Sequence, residues 1–258
     1  MKPPRRVTLL GCPIDPLTME ETVNRIDLAI QRGQCLQHVV VNAAKLVHLQ
    51  NDPELRASVV VSDLINADEQ AVVWAARFLG KPLPERVAGI DLMGGFIRLA
   101  HEKQCRVFFF GAREEVVRKV VEIYSKAFSP AIIAGYRNGY YQMEEELAIA
   151  TEIRDSCAQI LFIAISSPTK EIFLNTYKKV LEIPFIMGVG GSFDVVAGRV
   201  RRAPRWMQRV GLEWFFRFLQ EPRRMWKRYL VTNTLFIYYV LAEKRRILIQ
   251  ARETNPPR

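Results

Sequence analysis

The amino-acid sequence predicts an α/β fold of doubly wound type: a mostly parallel sheet with helices on both faces, plus a basic helical C-terminal appendage. Three observations predict it. From Arg106 onward, short continuous apolar runs alternate with helical stretches. Such runs suit strands buried on both faces, where neither side of the pleat meets water. Several of these runs end in glycine or polar turns. The net charge of +10 is also unevenly placed: residues 199–258 hold fifteen Lys/Arg against four Asp/Glu, and residues 1–198 hold twenty-two against twenty-three.

Taken in order, MKPPRRVTLLGCPID has too brief an apolar run, broken by Pro13 and Pro16, for a signal peptide and reads as a first strand. HVVVN (His38 to Asn42) reads as a strand and Ala43 to Gln50 as a helix. Asp52-Pro53 opens the next helix, since Asp caps well and Pro suits the first helical position. DLINAD (Asp63 to Asp68) is a short strand with a polar end, followed by helices from Gln70 to Leu79 and from about Leu92 to Lys103. RVFFFGA (Arg106 to Ala112), AIIAGY (Ala131 to Tyr136), QILFIAI (Gln159 to Ile165) and FIMGVG (Phe185 to Gly190) are the remaining strands. Helices at Glu114 to Ala127, Met143 to Cys157 and Thr169 to Leu181 separate them. After Gly198 the sequence turns basic, with helices from about Val210 to Gln220 and Pro222 to Gln250 and a disordered tail from Arg252. The division expected is an α/β body at 1–198 and a basic appendage at 199–258.

Composition narrows the function classes. A hydrophobic fraction of 49% with 25% charged residues is globular and argues against disorder. Cys12, Cys35, Cys105 and Cys157 form no CxxC pair and read as free thiols of a reducing compartment, Cys105 and Cys157 as ordinary core. His38, His48 and His101 lack metal-ligand spacing, so no metal is expected. The longest apolar stretch, Tyr229 to Ala242, falls short of the roughly 20 residues a spanning helix needs, so no membrane crossing is expected.

Ligands of open α/β sheets bind at the carboxyl ends of the strands. Four such ends stand out: Asn42, Asp68, the Ser166-Ser167-Pro168 turn, and the Gly188 to Gly191 turn with Asp194 just beyond. Glycines there let backbone N–H groups approach a phosphate. The turn is not the GxGxxG fingerprint of dinucleotide enzymes. Asp68 reads equally as a general base or as a carboxylate stabilising a helix N-terminus. In the appendage, GLEWFFRFLQEPRRMWKRYL interleaves aromatic and basic residues. That pattern suits an anionic membrane surface, nucleic acid, or a packed core with a solvated basic face.

Three segments resemble the WecG/TagA/CpsF glycosyltransferases: ADEQAVVWAARFLGKPLPERVAGIDL (Ala67 to Leu92), GVGGSFDVVAGRVRRAPRWMQRVGLEW (Gly188 to Trp214) and FLQEPRRMWKRYL (Phe218 to Leu230). The likeness runs from about Leu9 to Leu230. It implies a Rossmann-like body and an inverting, metal-independent enzyme without cofactor. It implies transfer of a hexose-type sugar from a UDP-sugar to an undecaprenyl-diphosphate-linked sugar, in cell-surface polysaccharide synthesis. The partners implied are the donor, the lipid-linked acceptor and an anionic membrane surface rather than nucleic acid, with homo-oligomers allowed. The implied location is cytoplasmic, peripheral on the inner face of the bacterial plasma membrane.

By position, the resemblance makes Asp68 the catalytic base and sets Asn42 and Arg86 near the sugar. Tyr140 and Asp194 meet the nucleotide beside Gly188, Gly190 and Gly191. Arg217 and Arg224 bind diphosphate, with Lys227 at a further basic position. The chain departs from the family pattern at Val40, where Thr is common, at Glu69, where Gly follows the acid, and at Lys170, where Gln is usual. Val40 and Lys170 lie near the expected sugar site. From these departures the expectation is that a neutral hexose or a uronic acid replaces the family's common N-acetylmannosamine as donor sugar, with Lys170 able to pair with a uronate. The alternative of another class is a non-catalytic basic nucleic-acid-binding protein.

Overall fold

A computed structural model describes residues 5–254, without the side chains of Arg209, Arg224, Met225, Lys227, Arg228, Tyr229, Arg252 and Thr254. The N-terminal segment folds back on itself: β1 (Val7–Leu9) and β2 (Cys12–Ile14) pair antiparallel, with Leu9 opposite Cys12. Leu10 and Gly11 link them with φ of 48° and 73°. Positive φ at both central residues is the type I′ geometry that matches strand twist. The single first strand expected here is therefore a separate hairpin. Helix α1 (Met19–Gln31), which the sequence reading did not identify, opens with a reciprocal cap between Thr18 and Glu21.

Six strands then alternate with helices. β3 (Leu36–Val41) leads to α2 (Ala43–Asn51) and α3 (Pro53–Val60), and β4 (Leu64–Ala67) to α4 (Gln70–Phe78) and α5 (Gly89–Lys103). β5 (Val107–Gly111), α6 (Glu114–Ala127), β6 (Ile133–Arg137) and α7 (Glu146–Asp155) follow. Then come β7 (Ile160–Ala164), α8 (Thr169–Leu181), β8 (Phe185–Gly188) and the short α9 (Ser192–Val196). The strands form one parallel sheet in the order β4-β3-β8-β7-β5-β6. This is the α/β architecture the sequence predicts, and it gathers every strand's carboxyl end on one edge.

The pleat sends alternate residues to opposite faces. From β5, Val107 and Phe109 join a core with Ile26 of α1, Phe96 of α5 and Val117 of α6. Phe108 and Phe110 join Ile149 of α7 and Phe173 of α8 on the other face. At the β3–β4 end, Val39, Val41, Ile65 and Ala67 pack with α2, α3 and α4.

The chain ends in α10 (Arg205–Arg209), α11 (Glu213–Gln220) and the long α12 (Pro222–Thr254), which continues past the point where a tail was expected. Phe236 and Val240 of α12 are buried in the core beneath α2. Glu243 accepts the Leu10 N–H at 2.8 Å and holds Lys81 Nζ at 2.6 Å. By contrast, Trp206, Trp214, Phe215 and Trp226 are exposed. Among the described residues no helix is long and apolar enough to cross a membrane.

Candidate active site

The carboxyl edge of the sheet borders a cleft of about 1050 Å³, closed on its far side by α11. Asn42, Asp68, Arg86, Tyr140, Lys170, Gly188, Gly190, Gly191, Asp194 and Arg217 all line it. The side chains of Arg224 and Lys227, at the start of α12, lie outside the described residues.

Asp68 follows β4 directly, and its Oδ1 accepts the backbone N–H of Gly89 at 2.8 Å. Asp68 therefore serves the first residue of α5 and does not cap α4, whose N-cap is Glu69. Burial pushes the Asp68 carboxyl above its ordinary range; the Gly89 N–H pulls the other way, Glu213 adds to the rise, and Arg86 and Lys45 oppose it. A carboxylate of raised pKa in a cleft is a stronger proton acceptor than one in water. Glu69 has φ −113°, so this position requires no glycine, and its Oε2 accepts the Ala43 N–H at the start of α2.

Asn42 caps α2, its Oδ1 accepting the Lys45 N–H at 2.8 Å. That cap aims Lys45 across the cleft to Glu171, with Nζ to Oε1 at 2.8 Å. Lys170 reaches the same oxygen at 3.3 Å. Glu171 is fully buried and Lys170 is 5% exposed. Burial works against the Glu171 carboxylate, but Lys45 and Lys170 outweigh it and hold its pKa down at about 2. Burial and the neighbouring Lys45 bring Lys170 down to about 8, against the pull of Glu171 and Asp68. Lys170 crosses Gly188 so closely that a Cβ there would lie 2.6 Å from its Cε.

Arg217 lies against the glycine turn, with a terminal nitrogen 3.1 Å from where a Gly191 Cβ would stand. Its Nε is buried without a hydrogen-bond partner among the described residues. Arg86, by contrast, is paired with Glu213 of α11 at 3.0 Å. Arg202 binds both oxygens of Asp91 at 2.6 Å and stands 3.6 Å from Glu213. These pairs tie the start of α11 to the rim of the cleft beside α5. Tyr140 is 70% exposed at the opposite end, its N–H held by Asn138 Oδ1.

Lys45, Glu171, Arg202 and Glu213 were not singled out from the sequence. Glu171 stood in view next to Lys170, and Lys45 follows Asn42 by one cap length. Glu213 gave no sign, as a lone acid within a basic run. Of the cysteines, Cys12 is buried but Cys157 is exposed, because its position after α7 with φ +54° turns it out of the core expected for it. Among the described residues no group of three His, Cys, Asp or Glu side chains could hold a metal ion.

A parallel sheet whose carboxyl edge brings Asp68, the buried Glu171 and several cations around one cleft is an α/β fold with its ligand site at the strand ends. The profile of the WecG/TagA/CpsF glycosyl transferase family matches residues 7–249. Two similar proteins are the N-acetylglucosaminyldiphosphoundecaprenol N-acetyl-beta-D-mannosaminyltransferases of Bacillus spizizenii strain W23 and Bacillus subtilis strain 168. The first is 37% identical over 182 residues, 70% of this chain and 69% of that protein. The second is 37% identical over 185 residues, 72% of this chain and 71% of that protein. The chain belongs to the WecG/TagA/CpsF family and is a glycosyltransferase.

Proposed function

We propose that this glycosyltransferase moves a hexose-type sugar from a UDP-sugar to an undecaprenyl-diphosphate-linked sugar, with inversion at the anomeric carbon and Asp68 as the base. The observation that carries the reading is a cleft with a carboxylate of raised pKa, Asp68, at one strand end and, at the glycine turn, an arginine whose Nε has no hydrogen-bond partner among the described residues. The names of both relatives support the lipid-linked acceptor and the sugar class.

The chemistry follows from charge. The acceptor hydroxyl attacks the anomeric carbon and passes its proton to Asp68, while the bond from that carbon to the diphosphate oxygen breaks. Negative charge then builds on the departing UDP. Arg217 lies beside the turn where backbone N–H groups can meet that diphosphate, and a guanidinium suits two phosphate oxygens at once. The family resemblance assigns Arg224 and Lys227, whose side chains lie outside the described residues, to the same diphosphate, with no metal required. Asp194 and Tyr140 take the nucleoside, and Asn42 and Arg86 the sugar side.

Lys170 bears on the donor. Its ammonium is already held by Glu171, which also serves Lys45, so it offers little free charge to a uronate. A neutral donor sugar, N-acetylmannosamine or glucose, fits that arrangement better. The basic, aromatic surface of α10 and α11 and the first turns of α12 is the proposed contact with the cytoplasmic face of an anionic membrane. On this reading residues 1–198 are the catalytic body and 199–258 the appendage, although α12 packs into the body through Phe236 and Val240.

The test is UDP release from UDP-N-acetylmannosamine, UDP-glucose and UDP-glucuronate with a short polyprenyl-diphosphate-sugar acceptor, for wild type and Asp68→Ala. Acceptor-dependent release from a neutral donor, reduced at least about 100-fold in the variant, is expected. Undiminished turnover in Asp68→Ala would remove the base assignment, and preference for UDP-glucuronate would overturn the donor assignment.

A further inference from the structure

We propose that an apolar trough between α4 and α12 holds the isoprenoid chain of the lipid-linked acceptor, leading it away from the cleft while the diphosphate stays inside. The inference rests on the proposed acceptor and adds the part of the protein that meets its apolar end.

The first wall is α4. Its inner face, Val72, Val73, Ala75 and Ala76, is buried in the core, yet Trp74 and Phe78 stand 52% and 50% exposed on the outer face. Gln70, Trp74 and Phe78 follow one another at intervals of four residues, so they form one row along the helix, about 12 Å from first to last. The helix is already anchored by its other face, so two half-exposed rings add little to its packing. They offer apolar surface to a ligand instead.

The second wall is α12. Lys244 Nζ donates to the Phe78 carbonyl oxygen at 2.9 Å and lies 5.3 Å from the centre of the Phe78 ring. Ile237 and Leu241 precede Lys244 by seven and three residues, which places them on the same flank of the helix. They are 58% and 54% exposed, while Phe236 and Val240 on the neighbouring flank enter the core. Lys244 thus closes the trough at the Phe78 end.

The other end opens on the cleft. The turn between α10 and α11 rests on α4 at Gly211, where a Cβ would lie 2.9 Å from the Trp74 ring and 3.1 Å from Gln70 Cβ. Gln70, Gly211 and Trp214 all line the cleft, so the aromatic row begins where the cleft ends. On the α5 side the rim is polar, closed by the Arg86–Glu213 and Arg202–Asp91 pairs. An isoprenoid chain leaving over that rim would strip water from ion pairs, which is costly. Leaving over Trp74 it covers apolar surface, which is favourable. The occupant follows from this continuity: a ligand whose anionic end sits among the cations of the cleft and whose other end is an extended apolar chain. A bilayer or a second copy of the protein needs no passage into the cleft.

The experiment is calorimetric binding of isopentenyl, geranyl and farnesyl diphosphate to the full chain, below micelle-forming concentrations and without vesicles. Wild type is expected to gain about tenfold in affinity for each isoprene unit added, as partial burial of its methylene groups requires. Trp74→Ala combined with Phe78→Ala should reduce that gain to roughly twofold or less. Leu241→Glu, on the other wall, should do the same and carries the test if the aromatic double variant does not fold. A chain-length dependence absent from wild type, or kept at full strength in the folded variants, would overturn the inference. So would variants that lose only vesicle binding or only self-association, since a bilayer or a second copy then covers the patch. A gain lost in the variants, with no UDP release from any UDP-sugar, would uphold the trough and defeat the proposed donor reaction.

Discussion

Gly188, Gly190 and Gly111 show that a glycine at a strand end can be required for different reasons, and the reasons predict different costs. At Gly188 an added methyl would stand 2.6 Å from Lys170 Cε, a side chain too buried to swing into solvent. Gly188→Ala is therefore expected to cost about 1–3 kcal/mol, the usual range for overpacking, and to displace Lys170 from Glu171. At Gly111 the obstacle is backbone: φ is +123° and the new Cβ would meet the Ala164 carbonyl carbon at 2.5 Å. Nothing can rotate away there, so Gly111→Ala is expected to exceed Gly188→Ala in cost. Gly190 has φ +51° with open space around it, so Gly190→Ala carries only the left-handed strain, about 1–2 kcal/mol. Urea denaturation of the three variants checks the order through the midpoints, provided the slopes agree. A Gly190→Ala variant less stable than Gly111→Ala would contradict it.

At the scale of elements, α12 is tied to the body by its middle turns, around Phe236 and Val240, and Glu243 is the polar part of that tie. It satisfies the Leu10 N–H in the hairpin turn and pairs with Lys81. Glu243→Ala should leave that N–H without its partner and cost about 1–2 kcal/mol. A fall of a few degrees in Tm is expected, together with faster amide exchange in the hairpin and α12; an unchanged exchange rate there would show that Phe236 and Val240 hold the helix alone. Elements with local causes were legible in the sequence. The Phe108 to Phe110 run is a strand because both faces of β5 are covered, and α8 begins just after Pro168 as read. The cap of α1 was also written in Thr18 and Glu21, but without a strong apolar run beside it the helix passed unnoticed. The hairpin was hidden because its left-handed turn uses Leu10, a residue that seldom adopts it. The cleft residues at strand ends could be found from the alternation of strands and helices alone. The pairs that tune them could not: Lys45 and Glu171 are 126 residues apart, and Arg86 and Glu213 are 127 apart. Only the assembled sheet brings α2 beside α8 and α11 over the loop before α5.

For the whole molecule, the separation of charge is the feature with the widest consequence. The net charge of +10 comes from the last sixty residues, while the sheet and its helices are nearly neutral. Exposed Trp206, Trp214, Phe215 and Trp226 lie in the same stretch as exposed Arg205 and Arg223. Removing this stretch would be a poor test of its role, because the cut would also strip Phe236 and Val240 from the body core. Point changes on the exposed face avoid that. On the proposed membrane reading, each arginine near an anionic surface contributes about 1 kcal/mol. Arg205→Gln with Arg223→Gln should therefore weaken binding to vesicles of mixed phosphatidylcholine and phosphatidylglycerol roughly 30-fold, with Tm unchanged. Raising salt from low to physiological strength should weaken wild type more than the double variant, since screening acts on the charges the variant lacks. Trp206→Ala should weaken binding at every salt concentration, because its contribution is apolar. Equal vesicle binding by wild type and the double variant at low salt would remove the membrane role from these arginines and leave the basic stretch to the substrates' diphosphates.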